Sequence, residues 1–118
     1  MVQAAHSHNA TSFYHSCDVT DPKSIDQALN SAETVVRYPY GGLVCCAGLS
    51  GSGDGPAIST TVERMKNVVD VKYIGTFLCA QAMAQKFKEQ NTPGSMVFIA
   101  SMSGHVCNKV CNPLLIQS

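Results

Sequence analysis

The spacing of apolar residues changes character along this chain, and each change predicts an element. Two short apolar runs, Gly42-Leu-Val-Cys-Cys-Ala-Gly48 and Met96 to Ala100, are each bounded by turn residues. Runs of this kind predict strands buried on both faces, as in a parallel sheet. The second run stops abruptly at Ser101, Ser103 and Gly104. A third strand is predicted over residues 12–17, Ser-Phe-Tyr-His-Ser-Cys. Between the strands the period becomes helical. Ile25, Ala28, Leu29, Ala32, Val35 and Val36 recur at spacings of three and four. They predict a helix that starts at Thr20 or Asp21 with Pro22 in its first turn and runs to about Arg37. A longer helix is predicted from a cap at Ser59, Thr60 or Thr61, with Glu63 in its first turn, to Gln90. Its stripe is Met65, Val69, Lys72, Thr76, Cys79 and Met83. Asn91, Pro93 and Gly94 end it, about 45 Å from its start.

The order β-α-β-α-β implies right-handed crossovers and an α/β fold with a parallel sheet. In such sheets ligands bind at the carboxyl ends of strands, which makes Ser101 the first candidate site residue. Residues 48–57, rich in glycine, read as a loop.

Composition narrows the classes. The 118 residues suit one domain, and 45% apolar against 14% charged residues predicts a buried core. Eight basic and eight acidic residues leave no net charge, which argues against a nucleic-acid or anionic-membrane partner and gives little protection against self-association. No apolar stretch is long enough to span a membrane, and residues 1–12 do not read as a secretory signal. The six cysteines follow no framework spacing, so they are expected to be reduced, buried and cytoplasmic. His6, His8, His105, Cys107 and Cys111 match no closed zinc set, and no metal is expected. Asp18 reads equally well as a helix-cap neighbour and as a site residue.

Four landmarks in order resemble the short-chain dehydrogenase/reductase family, most of all its fungal polyol and sorbose reductase type. Cys17-Asp18-Val19-Thr20-Asp21 is similar to the strand-end motif whose Asp-Val contacts the cofactor adenine. Cys45-Cys46-Ala47-Gly48 is similar to Asn-Asn-Ala-Gly. Asp70-Val71-Lys72-Tyr73-Ile74-Gly75-Thr76-Phe77 is similar to Asp-Val-Asn-x-x-Gly-x-Phe. Residues 94–104 are similar to the strand that ends in the catalytic serine, which falls on Ser101. The landmarks cover about residues 11–109.

The resemblance implies a partial Rossmann-like three-layer fold with an incomplete sheet, one domain over 1–118, with 1–10 and 105–118 irregular. It implies NADP or NAD as cofactor, with Asp18, Val19, Cys45, Ala47 and Gly48 as remnants of its site and Ser101 as the catalytic remnant. A parent enzyme of this kind would reduce a sugar or polyol ketone.

The departures are specific. The family's Thr-Gly-x-x-x-Gly-x-Gly turn is not found here, and Gly51-Ser-Gly-Asp-Gly-Pro56 does not replace it, since Pro56 stands where a helix should start. No tyrosine follows Tyr73, so Tyr-x-x-x-Lys does not follow Ser101. The resemblance therefore implies a chain shortened at both ends and inactive by itself. Cys45 cannot supply an amide's donor and acceptor, and Lys72 stands where the family has asparagine. In the family's strand order, 3-2-1-4-5-6-7, these three strands are numbers 3, 4 and 5. Residues 12–17 would then lack a neighbour, and the strand at Gly42–Gly48 would have a bare edge. The alternative expectation is a non-catalytic piece that pairs with itself or a full-length relative through helix 60–90.

Overall fold

The computed structural model describes residues 12–36, 38–49 and 59–101. Three α-helices, one π-helical segment and two strands make up this part: α1 (Pro22–Val35), β1 (Gly42–Cys45), α2 (Val62–Val69), the π-helical segment (Asp70–Gly75), α3 (Thr76–Glu89) and β2 (Ser95–Phe98). The strands pair in parallel with Gly42 opposite Ser95 and Cys45 opposite Phe98. The flanking bonds Ser95 N–H to Gly41 O and Ile99 N–H to Cys45 O extend the ladder at both ends. This is a partial α/β fold, as the alternation of patterns implies.

Local chemistry sets the helix ends. The Asp21 carboxylate accepts from the Lys23 N–H at 3.0 Å and Pro22 occupies the first turn, so α1 starts where its signals lie. Thr61 Oγ1 accepts from the Arg64 N–H at 3.1 Å, which selects Thr61 among the three expected caps. At the far end Asn91 adopts φ 49°. The Thr92 N–H then bonds Phe87 O, and the Asn91 N–H bonds Lys88 O. This pair closes the last turn of α3 in a left-handed cap that asparagine tolerates.

The single helix expected over 60–90 is continuous but changes register at Asp70–Gly75. A π turn closes i to i+5 bonds and carries extra residue per turn, so the face that leaves it is rotated from the face that enters. The expected stripe splits accordingly. Met83 is buried and Thr76 and Cys79 are half-buried, whereas Met65, Val69 and Lys72 are exposed. Thr76 Oγ1 donates to Lys72 O at 2.8 Å across this turn.

α1 lies against α3, and Ile25 and Met83 are the most buried apolar side chains among the described residues. Lys86 ties the two helices, with its ammonium 2.9 Å from Glu33 and 3.3 Å from Asn30 Oδ1. Tyr40 fastens the connection to β1. Its hydroxyl donates to Leu29 O at 2.6 Å and its N–H to Gln90 Oε1 at 2.9 Å. Gly94 passes so close to Phe87 that a Cβ there would land on the ring. The ring ends a rotatable side chain and can swing aside. Gly94→Ala should therefore cost about 1 kcal/mol, read as a lowered midpoint in urea. An unchanged midpoint would show that the ring already has room.

Two expectations about strands are corrected. Residues 12–17 are extended but join no ladder, because no strand among the described residues lies beside them. The apolar runs are also not buried on both faces. Val44, Val97 and Ile99 are exposed, because α3 covers one side of the two strands and nothing described covers the other; Phe98 is exposed as well. The expectation of buried cysteines also fails for Cys17 and Cys46, which are exposed, while Cys45 and Cys79 are half-buried. The irregular ends expected at 1–10 and 105–118, the loop's Gly51–Pro56, Ser103, and His6, His8, His105, Cys107 and Cys111 all lie outside the described residues.

Candidate functional site

The carboxyl ends of the paired strands meet in a cleft of about 330 Å³. β1 delivers Cys46, Ala47 and Gly48; β2 delivers Ile99, Ala100 and Ser101; the π segment delivers Lys72. Pairing in register explains the convergence. Cys45 is opposite Phe98, so the residues three further on, Gly48 and Ser101, leave the sheet side by side. Gly48 lies close against Lys72. A Cβ on it would sit 3.1 Å from Lys72 Cε and 3.7 Å from Cγ, so the lysine stem lies along the glycine backbone.

Cys45, expected among the site residues, belongs to a different environment. Burial pushes its thiol up, and the neighbouring Cys46 adds to this. Alternation along β1 turns Leu43 and Cys45 to the covered side, where α3 packs. On α3, burial pushes the Cys79 thiol up to about 11, with Cys45 and Cys17 contributing further. Both thiols are thus protonated near neutral pH and behave as small apolar groups.

Asp18 opens a second cleft, of about 480 Å³, lined also by Leu49, Asn67, Asp70, Val71 and Ile74. Its Oδ1 accepts from the Thr20 N–H at 2.9 Å and from Thr20 Oγ1 at 2.8 Å. The backbone bond, then the side-chain bond, holds its pKa below the ordinary carboxylate value. Asp18 therefore serves both readings: it shapes the turn before α1 and it faces a cleft. Val19 does not line that cleft. It packs on Gly75, where an added Cβ would meet its Cγ2 at 2.7 Å.

The six residues expected to form the site thus divide. Ser101, Ala47 and Gly48 come together, Asp18 lies in the neighbouring cleft, Val19 locks the corner to the helix, and Cys45 faces the core. Asn67, Val71 and Ile74 went unnoticed as wall residues. Their spacing of four and three, together with Asp70, is the signal that places them on one helix face. No group of three His, Cys, Asp or Glu able to hold a metal occurs among the described residues.

Comparison with known proteins bears on the family and the fold. The profile of a family described as enoyl-(acyl carrier protein) reductase matches residues 1–115, beyond the span of the four landmarks. A short chain dehydrogenases/reductase, notP', of Aspergillus versicolor is 43% identical over 96 residues, covering 81% of this chain and 32% of the relative. An NADP-dependent mannitol dehydrogenase of Alternaria alternata is 40% identical over 57 residues, or 48% of this chain and 21% of the relative. The crystal structure of a short-chain type dehydrogenase/reductase from Mycobacterium marinum superposes with a TM-score of 0.68 at 32% identity, covering 78% of this chain and 36% of that one. The chain thus spans about a third of the length of the first of these relatives and of the crystal structure.

Proposed function

This chain belongs to the short-chain dehydrogenase/reductase family, and on that premise we propose that it is part of an NAD(P)-dependent oxidoreductase acting on a sugar or polyol ketone. The observation that carries the reading is the convergence of Gly48 and Ser101 at the ends of paired parallel strands. Likeness to a mannitol dehydrogenase supports the substrate class.

The described residues fit one end of a dinucleotide. Leu49, Val71 and Ile74 offer apolar walls to an adenine ring, and Asp18 and Asn67 offer polar edges to it. When bound, the nicotinamide supplies or accepts a hydride. The chain's own contribution is Ser101, which orients a carbonyl oxygen by hydrogen bonding at the mouth of the smaller cleft. A proton donor of the Tyr-x-x-x-Lys type does not follow it in this sequence. The 118 residues alone therefore bind the adenine end weakly and do not turn over.

The test is an amide NMR titration with AMP, paired with an NADPH oxidation assay with fructose. AMP should shift Val71 and Ile74 in the millimolar range, with no NADPH consumed. Silence at those amides would contradict the proposal, whereas micromolar NADPH affinity or measurable turnover would contradict only the inactivity of the 118 residues by themselves.

A second reading rests on a separate observation. Val62, Met65, Val69, Tyr73 and Phe77 form an exposed apolar line along α2 and the π segment into α3. Such a line suits pairing with a full-length relative, which would make this chain an interaction piece. No helix among the described residues is long and apolar enough to cross a membrane, and a cytoplasmic setting accords with the reading. Co-purification with a full-length homologue, lost in Met65→Lys, would support it. Equal recovery of both variants would refute it.

A further inference from the structure

We propose that the cleft at Gly48 and Ser101 takes a substrate carrying an anionic group, a carboxylate or a phosphate, held by the Lys72 ammonium. The inference rests on the oxidoreductase reading and specifies its substrate class. Among the described residues Lys72 is the single charged one lining that cleft; the others are Cys46, Ala47, Gly48, Ile99, Ala100 and Ser101. The stem of Lys72 runs along Gly48, which places it at the strand ends. Among the described residues no carboxylate pairs with it, whereas Lys86 pairs with Glu33 and Glu89. Its nearest carboxylate in sequence, Asp70, lines the other cleft.

A cation at a cleft with no opposite charge among the described residues attracts anions, and the ammonium offers three donors to carboxylate or phosphate oxygens. A neutral polyol would gain less there, since a charge-assisted bond is about twice as strong as a neutral one. The geometry therefore favours a carbonyl compound bearing its charge a few bonds from the carbon that reacts. Ser101 would meet the carbonyl and Lys72 the charge.

The probes are D-fructose, fructose 6-phosphate and 2-oxobutyrate, titrated at matched ionic strength into the full chain. Amide shifts of Gly48 and Ser101 are the readout. At least one anion should bind about tenfold more tightly than fructose, the scale of one good charged contact. Preference for the phosphate or for the oxo acid identifies which source of charge the cleft accepts. Lys72→Gln should bring that anion to the level of fructose, and Lys72→Arg should retain it. Because Lys72 is exposed, neither change threatens folding, and far-ultraviolet circular dichroism checks this. Equal affinity for fructose and both anions, no anion binding, or anion binding unchanged in Lys72→Gln would overturn the inference. The AMP shifts at Val71 and Ile74 are read in the same samples. If they persist while the anions fail, the oxidoreductase reading stands and the anion preference alone falls.

Discussion

Expressed as these 118 residues, the protein should associate rather than melt as a monomer. Among the described residues its sheet has two strands and an uncovered face bearing Val44, Val97 and Ile99, which are 61%, 49% and 61% exposed. Parallel sheets are ordinarily covered on both faces, and bare apolar edges pair with other chains. A net charge of zero adds no repulsion to oppose this. Light scattering during size-exclusion chromatography should report dimers or larger species, with a broad, concentration-dependent thermal transition. The double variant Val44→Lys, Val97→Lys places charge on the open face. It should lower association by about tenfold or more with helix content unchanged, since like charges oppose edge and face pairing. A sharp, reversible and concentration-independent melt of the unaltered monomer would sink the idea.

That open face also shows what a sequence can and cannot disclose. The helix ends were legible because caps are local. Asp21 with Pro22, Thr61 with Glu63, and Asn91 each satisfy backbone groups within a few residues of themselves. Strand identity was legible for the same reason at Leu43–Cys45 and Met96–Phe98. Burial was not. An apolar run states what a strand would bury, not whether a partner is present, and Val97 and Ile99 are exposed despite their pattern.

The site was legible in its strand-end half. Gly48 and Ser101 needed only parallel pairing in register to meet. The helical half depended on the π segment, which no periodicity argument anticipates. It turned Lys72 and Met65 away from the line that Cys79 and Met83 keep, and set Lys72 over Gly48. Cys45 lies apart from Gly48 and Ser101 because a motif fixes a position along the chain, while the strand's alternation fixes which face the side chain takes.

The other large effect is expected at Gly75, where the corner carrying Asp18 and Val19 rests on the π segment. Gly75 is buried and has helical angles, φ −60° and ψ −41°, so its backbone does not require glycine. By propensity alone, alanine would be favoured by about 1 kcal/mol. Space decides otherwise. A Cβ there would stand 2.7 Å from Val19 Cγ2, 3.1 Å from Val19 O and 3.2 Å from Asp70 O. Two of these are backbone oxygens, and the third belongs to a β-branched side chain stiff about χ1. None can swing aside as the Phe87 ring can. Overpacking of this kind costs about 1–3 kcal/mol, and in a protein of low stability that is a large share.

Gly75→Ala should therefore lower the urea midpoint and strip hydrogen-exchange protection from the Asp21 N–H, which bonds Asp18 O in the displaced turn. Gly41→Ala is the matched control, because nothing lies within 4 Å of a Cβ at that position. Its effect should stay within about 0.5 kcal/mol. Adding Val19→Ala to Gly75→Ala removes the Cγ2 contact and should restore part of the loss. A double-mutant cycle then reads a favourable coupling of about 1 kcal/mol between residues 19 and 75. Strict additivity of the two changes would mean that the corner does not bear on the helix, and the cleft at Asp18 would have to be held together by other contacts.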